Sequence, residues 1–220
     1  MTERSYRQYC GIARALDLVG ERWALLVVRE LVLGPKRFTD LQNGLPGIGT
    51  NILAARLRQL ERGGVVRRRT LPPPAASVVY ELTGYGRELE EIVLALGRWG
   101  AKTLEMREPG EALRGEWLVV ALRAFFRPEQ AQGVHGTYEL RLGPDVFHAV
   151  VDDGSLDVGS GPASEPDLVL EADVDTMLAL LGGALTPTEA VATGAVRAEG
   201  DLELLERLLV LFAFREPALG

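Results

Sequence analysis

The residues with the clearest capacity for chemistry lie between Asn51 and Arg69. At about 100° per residue, Asn51, Ala54, Ala55, Arg58 and Arg62 fall on one side of a helix through TNILAARLRQLER, while Ile52, Leu53, Leu57 and Leu60 fall within an arc of about 140° on the other. The first set suits a duplex groove. An amide can bond adenine through two hydrogen bonds, a methyl-sized side chain can meet a thymine methyl, and a guanidinium reads guanine or phosphate. Thr50, with Lys36 and Arg37 upstream, is expected on phosphate. Arg56 falls between Ile52 and Leu57 on the inward side and reads as a structural ion-pairing residue. Gly63-Gly64 supply the positive-φ positions that end a helix, and Val65-Val66-Arg67-Arg68-Arg69 then reads as a basic strand. Alternation puts Arg67 and Arg69 on one face and Arg68 on the other. Either one or two of them touch the nucleic-acid backbone, or they form a solvated edge that deters strand pairing. A solvated surface helix can carry the same residue types, so the flanking elements decide between the two.

Other chemistry is sparse. No serine, cysteine or paired carboxylate lies in a nucleophile motif, so no catalytic residue is assigned and no enzyme activity or cofactor is expected. His135 and His148 stand alone, without an HxxxH spacing or a cysteine partner, which gives no metal site. Asp152-Asp153 reads as a turn. The single cysteine, Cys10, excludes an intramolecular disulfide and fits a reducing cytoplasm. A reactive thiol needs thiolate character, which Arg7 and Arg14 could favour; the alternative is a small buried helix residue. The polar opening MTERSYRQY lacks the apolar core of a signal peptide, and no apolar run reaches the ~18 residues of a membrane span, so a cytoplasmic protein without membrane partners is expected.

The elements around these residues have legible periods. Cys10 to Val19 offers Ile12, Leu16 and Val19 at helical spacing, and Glu21 to Leu33 offers Trp23, Leu26, Val27, Glu30 and Leu31. Lys36 to Gln42 reads as a short helix with Phe38 and Leu41 inward, and a tight connection leads to the long helix, which Thr50 or Asn51 can cap. Two helices joined by a glycine-bearing turn and followed by a basic strand make a helix-turn-helix with a wing. Val78 to Leu82 returns as the second wing strand, and Tyr85 to Met106 reads as a long helix with apolar surface to spare for a second copy of the chain. Charge divides with the elements: residues 1–108 hold 17 Lys/Arg against 12 Asp/Glu, and residues 109–220 hold 7 against 19. Only the first half is fit to face phosphate.

The order CGIARALDLVGERW, FTDLQNGLPGIGTNILAARLRQLERGGVVRR and VVYELTGYGRELEEIVLALGRWG resembles the HxlR family of winged-helix transcriptional regulators over residues 9–101. The resemblance implies a double-stranded DNA operator as partner and a homodimer held by the first and last helices, with its recognition helices in successive major grooves. It also places Cys10 where some such regulators keep a redox- or electrophile-sensing thiol. Two positions depart from the family pattern, Ser77 in the wing and Asn51, where basic residues are usual.

Beyond the charged stretch 107–111, the sequence predicts a helix through WLVVALRAFF, strands at Tyr138–Leu142, Val146–Val151, Ser155–Val158 and Leu168–Ala172, an Asp-capped helix ending at Gly182-Gly183, a strand at Val196–Gly200 and a helix over Leu202–Phe214. HGTYELRLG and DLVLEADVDTMLALLGGALTPTEAVATGAVRAEGDLELLERLL are similar to the sterol carrier protein type 2 fold over about 115–214. That resemblance implies a site for an apolar small-molecule effector, with Trp117, Phe125, Phe126, Tyr138, Phe147 and Met177 as lining or simple core. The expected architecture is α+β: a winged helix-turn-helix domain for DNA binding and dimerisation over 1–108, and a sterol-carrier-type α/β domain, a curved sheet with packed helices, over 112–220. The expected function is a dimeric, sequence-specific transcriptional regulator controlled by an apolar effector. The alternatives are a regulator switched at Cys10, and a lipid-binding carrier whose winged helix mediates protein contacts.

Overall fold

A computed structural model of the chain describes residues 5–104, 107–108, 110–212 and 214. Met106, the expected end of the long helix, and Pro109 of the expected linker lie outside them. The chain divides into two compact units, Met1–Leu96 and Gly97–Gly220. The division falls within a helix, ahead of the boundary at 108–112 that composition suggested.

The first unit contains α1 (Gly11–Val19), α2 (Ala24–Val32), β1 (Lys36–Arg37), α3 (Phe38–Gly44), α4 (Thr50–Arg62), β2 (Val66–Thr70), β3 (Val78–Leu82), α5 (Gly84–Arg87) and α6 (Leu89–Ala101), the last continuing into the second unit. Its sheet is antiparallel in the order β1-β3-β2. Val27, Val28 and Leu31 of α2, Leu41 of α3, and Leu53, Leu57 and Leu60 of α4 meet in one core with Val65, Val66 and Leu82 of the wing. Each helix contributes residues three or four apart, because that spacing returns a side chain to the same face.

Several expectations change here. Lys36–Arg37 is a strand, not the first turn of a helix, because its register partners Tyr80 and Val79 on β3 supply the pairing that propensity cannot reveal. The long helix is interrupted at Glu88, which separates α5 from α6. Gly86 explains the tight start: a Cβ there would lie 1.9 Å from the Val65 carbonyl oxygen, so α5 packs its backbone directly against the wing. Thr83 caps α5, accepting a hydrogen bond from the Gly86 N–H at 2.9 Å. Helix α4 is capped by Gly49 without a side-chain bond, so neither Thr50 nor Asn51 serves as the cap.

The second unit contains α7 (Gly115–Phe125), a single 3-10 turn (Pro128–Gln130), β4 (His135–Leu142), β5 (Asp145–Asp152), β6 (Ser155–Ser160), β7 (Leu168–Ala172), α8 (Val174–Leu181), α9 (Pro187–Ala192), β8 (Arg197–Gly200) and α10 (Glu203–Leu211). The sheet order is β6-β5-β4-β7-β8, with β4 and β7 parallel and the other neighbours antiparallel. Along β4, Gly136, Tyr138, Leu140 and Leu142 alternate onto one buried face. Asp173 caps α8 by accepting from the Thr176 N–H at 2.6 Å. Helix α9 was not anticipated, although Thr186-Pro187-Thr188-Glu189 spells its start: Thr186 and Glu189 form a capping box with proline in the first turn.

Candidate nucleic-acid interface

Helix α4 is rotationally fixed by Leu53, Leu57 and Leu60, all sealed in the core, so its opposite side must face outward. Asn51, Arg58 and Arg62 are exposed, and Ala54 and Ala55 lie half-buried beside them. Among the described residues, the guanidiniums of Arg58 and Arg62 have no hydrogen-bond or ion-pair partner. Ile52 departs from the expected arc. It stands at the edge of the apolar side in the first turn and is 45% exposed, adding an apolar surface next to Asn51.

Arg56 is turned inward as its position on the helix requires. Its Nη2 lies 3.3 Å from Glu21 Oε2, and Nη1 donates to Gln59 Oε1. Gln59 in turn donates to the carbonyls of Asp17 and Leu18, each at 3.3 Å, which ties α4 to the end of α1. At the other end of α4, Gln42 of α3 donates to Thr50 Oγ1 at 2.9 Å. These bonds hold the helix at both ends without using its outward residues.

The expected phosphate contacts divide. Lys36 is drawn towards the core: its ammonium lies 2.8 Å from Glu30 Oε2, while Arg29 Nη2 lies 2.7 Å from Glu30 Oε1. Glu30 is only 2% exposed, and a buried carboxylate draws the nearest cations to itself. Arg37 remains exposed and donates from Nε to Ser77 Oγ at 3.1 Å, which brings its guanidinium to the wing. Arg67 and Arg69 do share a face, and both are held by Glu81. Arg67 Nε donates to Glu81 Oε1 at 2.7 Å; Arg69 donates from Nε and Nη2 to Oε2 at 3.1 and 3.0 Å. The Arg69 hydrogen bonds, with Arg67 adding to them against the opposing effect of desolvation, hold the Glu81 carboxyl below the usual carboxylate range. The sequence signal for this cluster was present. Counting back from the wing turn puts Glu81 opposite Arg67.

Over this unit, residues 18–108 match the HxlR-like helix-turn-helix family model. The uncharacterized HTH-type transcriptional regulator sll1512 of Synechocystis is 40% identical over 96 residues, 44% of this chain and 71% of that protein. The chain belongs to the HxlR-like helix-turn-helix family. The HTH-type transcriptional regulator YodB of Bacillus subtilis is 34% identical over 99 residues, 45% of this chain and 86% of YodB. Among solved structures, the redox regulator HypR in its oxidized form aligns with a TM-score of 0.41 at 33% identity, covering 44% of this chain and all of that one. Residues 121–213 match the SCP-2 sterol transfer family model. The protein is therefore an HxlR-type transcriptional regulator with an appended SCP-2-type domain.

In this HxlR-type chain, Cys10 is the N-cap residue of α1 and is exposed, not buried. Backbone N–H groups of Ala13 and Ile12 hold its thiol below the usual range. That shift comes from the helix start and not from the arginines invoked in the sequence, and Arg14 instead lies 3.8 Å from Asp17. Along α1 and α6 the expected apolar stripes are open: Ile12 is 74% exposed and Trp99 71%, with Leu16, Ile92 and Leu96 also exposed.

The six aromatic and methionine candidates of the SCP-2-type domain separate by burial. Tyr138, Phe147 and Met177 are fully packed core, whereas Trp117, Phe125 and Phe126 are half-buried. Phe125 stacks on Phe214 with ring centroids 4.9 Å apart, and Phe126 on Phe212 at 5.5 Å. A cleft of about 480 Å³ opens elsewhere, lined by Gln130, Val134, Glu203, Glu206, Arg207, Val210 and Leu211. None of the six lines it. The reason is that a small sheet spends its aromatics on its own core. Tyr138 keeps one polar feature, a buried hydroxyl with no hydrogen-bond partner among the described residues. His135 pairs with Asp152 at 2.7 Å and His148 Nδ1 meets the Gly161 carbonyl at 3.1 Å, and among the described residues no cluster of metal-ligating side chains occurs. No helix of the described residues is long and apolar enough to cross a membrane.

Proposed function

We propose that this HxlR-type regulator is a homodimer that reads a DNA operator through α4. Asn51, Ala54, Ala55 and Arg58 meet base edges, while Thr50, Arg37 and the wing arginines meet phosphate. The observation that carries this is the outward side of α4: an amide, small side chains and two exposed guanidiniums, on a helix whose orientation is fixed from beneath by three buried leucines. The open apolar stripes of α1 and α6 support dimerisation, since exposed apolar surface of that extent marks a contact between chains. The protein would act in the cytoplasm, without catalysis. Genomic footprinting should recover discrete sites, and anisotropy titrations on those sites should show tight, salt-sensitive binding; binding no tighter than to random duplex would refute sequence-specific reading.

The SCP-2-type domain is proposed to hold an apolar effector whose binding alters the spacing of the two recognition helices, with the cleft beside α10 as its entry. Operator affinity unchanged by every member of a panel of long-chain and polycyclic apolar compounds would leave the domain as dimer scaffolding. A second reading is favoured by Cys10 itself, whose thiol is exposed and acidified at the start of α1. If oxidation controls the protein, diamide should release DNA from the native chain and not from Cys10→Ser. The carrier alternative separates simply: a protein whose winged helix contacts only proteins would leave heparin and duplex unbound at low salt.

A further inference from the structure

The three-stranded sheet of the first unit has a face on which cross-strand partners line up. Arg69 lies opposite Val79, Val79 lies opposite Arg37, and Arg67 lies opposite Glu81. Directly opposed residues share a face, so Arg37, Arg67 and Arg69 from the two flanking strands lie on the same face as Glu81 of the central strand, and two of the three bond to it. Arg37 donates to Ser77, while Arg67 and Arg69 are both committed to Glu81. Glu81 is nearly buried, whereas the two arginines remain exposed beyond it. Arg68 differs. It lies opposite Tyr80 on the other face, is exposed, and has no ion-pair partner among the described residues.

We propose that Glu81 is a charge restraint on the wing: it holds Arg67 and Arg69 so that together they offer phosphate little more than one positive charge, and leaves Arg68 as the freely available wing cation. This rests on the DNA-binding reading above. Sequence-independent affinity for duplex grows with the number of phosphates a protein neutralises. A wing carrying three unrestrained arginines would strengthen binding to every sequence alike and dilute the discrimination made by α4. One carboxylate in the middle of the face lowers that common term while fixing the wing's register. The ionised state of Glu81 is secured by the same two guanidiniums.

The test uses the full chain and a random-sequence duplex, with affinity measured across a potassium chloride series. Glu81→Gln keeps the shape and one of the two acceptor oxygens and removes the charge. It should bind several-fold more tightly at low salt and steepen the slope of log K against log salt by about 0.9, one phosphate's worth. In the native background, Arg68→Ala should flatten that slope by about 0.9, and removing Arg67 and Arg69 together should also flatten it by only about 0.9, because Glu81 leaves the pair one net charge. In the Glu81→Gln background, removing both should flatten it by about 1.8. Glu81→Gln binding no tighter than the native chain, or the Arg67→Ala, Arg69→Ala double variant flattening the native slope by about 1.8, would overturn the proposal. The arginine substitutions are at exposed positions, so their comparison decides the matter even if Glu81→Gln loosens the wing. If the unaltered chain leaves duplex unbound at low salt, the DNA-binding reading falls and takes this one with it; binding with the wrong ranking removes the restraint alone.

Discussion

Three side chains illustrate how local surroundings assign a role. Arg58 is exposed on α4 and unpartnered among the described residues, so its loss should leave the fold intact and weaken operator binding by roughly 1–3 kcal/mol, measured by anisotropy on footprinted sites. Lys36 has the same charge and the opposite fate. Because its ammonium serves the buried Glu30, Lys36→Ala should cost roughly 1.5–3 kcal/mol of stability in urea unfolding and leave the salt slope of DNA binding unchanged. Tyr138 is a third case. Its hydroxyl is buried with no partner among the described residues, and burial first of all pushes its pKa from 10.0 to about 12, with nearby Arg207 opposing and Asp167 and Asp201 adding. A folded-state value above the unfolded one means that the folded chain keeps a proton which the unfolded chain releases. Stability is therefore complete below about pH 10 and declines as pH rises from there towards 12. Tyr138→Phe should remove that decline and be neutral or stabilising at neutral pH, since it deletes an unsatisfied polar group without opening a cavity. Thermal melts of the two proteins between pH 8 and about 12 would check both statements.

At the scale of elements, α1 and α6 carry the next expectation. Ile12 and Trp99 are the most open apolar side chains of their helices, and a homodimer would cover them. Ile12→Glu and Trp99→Glu should each shift the chain towards monomer in sedimentation, with operator affinity falling in parallel; dimers of native strength would exclude these faces from the interface. Gly86 tests the joint between wing and α5. A methyl group there meets the Val65 carbonyl, so Gly86→Ala should destabilise the first unit by at least about 1–3 kcal/mol. The same elements show what could be read from sequence. Helix α4 was legible because Leu53, Leu57 and Leu60 repeat with its period and the glycines end it. Ile52 was misplaced because a wheel assigns angle and not depth, and the first turn of α4 lies at the rim of the core. Strand β1 was hidden because two residues have no period, and its pairing depends on β3, more than 40 residues away. The break at Glu88 was hidden for a similar reason, since the close approach of Gly86 to the wing is a tertiary fact. The aromatics of the SCP-2-type domain could be named from sequence. Whether they wall a cavity or fill a core depends on how α7, α8 and α10 seat on the sheet, which no local pattern records.

For the whole molecule, the uneven charge and the two family matches together imply a division of labour. The basic half carries the helix-turn-helix, and the acidic half, which no phosphate attracts, is free to face something else. If that something is an apolar effector, thermodynamics fixes a relation between the halves that no detail of mechanism can alter. Whatever factor the effector imposes on operator affinity, the operator must impose on effector affinity. A fluorescent fatty-acid analogue, titrated into the full chain with and without saturating operator, should show a ratio of dissociation constants equal to the ratio measured for operator with and without the analogue. A coupling of about 1–3 kcal/mol, typical of allosteric proteins, would appear as a 5- to 150-fold change in both experiments. Two binding events with a ratio of one would mean that the SCP-2-type domain and the recognition helices share a chain and exchange no free energy. Cys10→Ser should leave this ratio untouched if the effector is the signal, because the thiol belongs to α1 and takes no part in the cleft. A ratio that collapsed in Cys10→Ser would instead make the start of α1 the element through which both signals pass, and would join the two proposed modes of control into one.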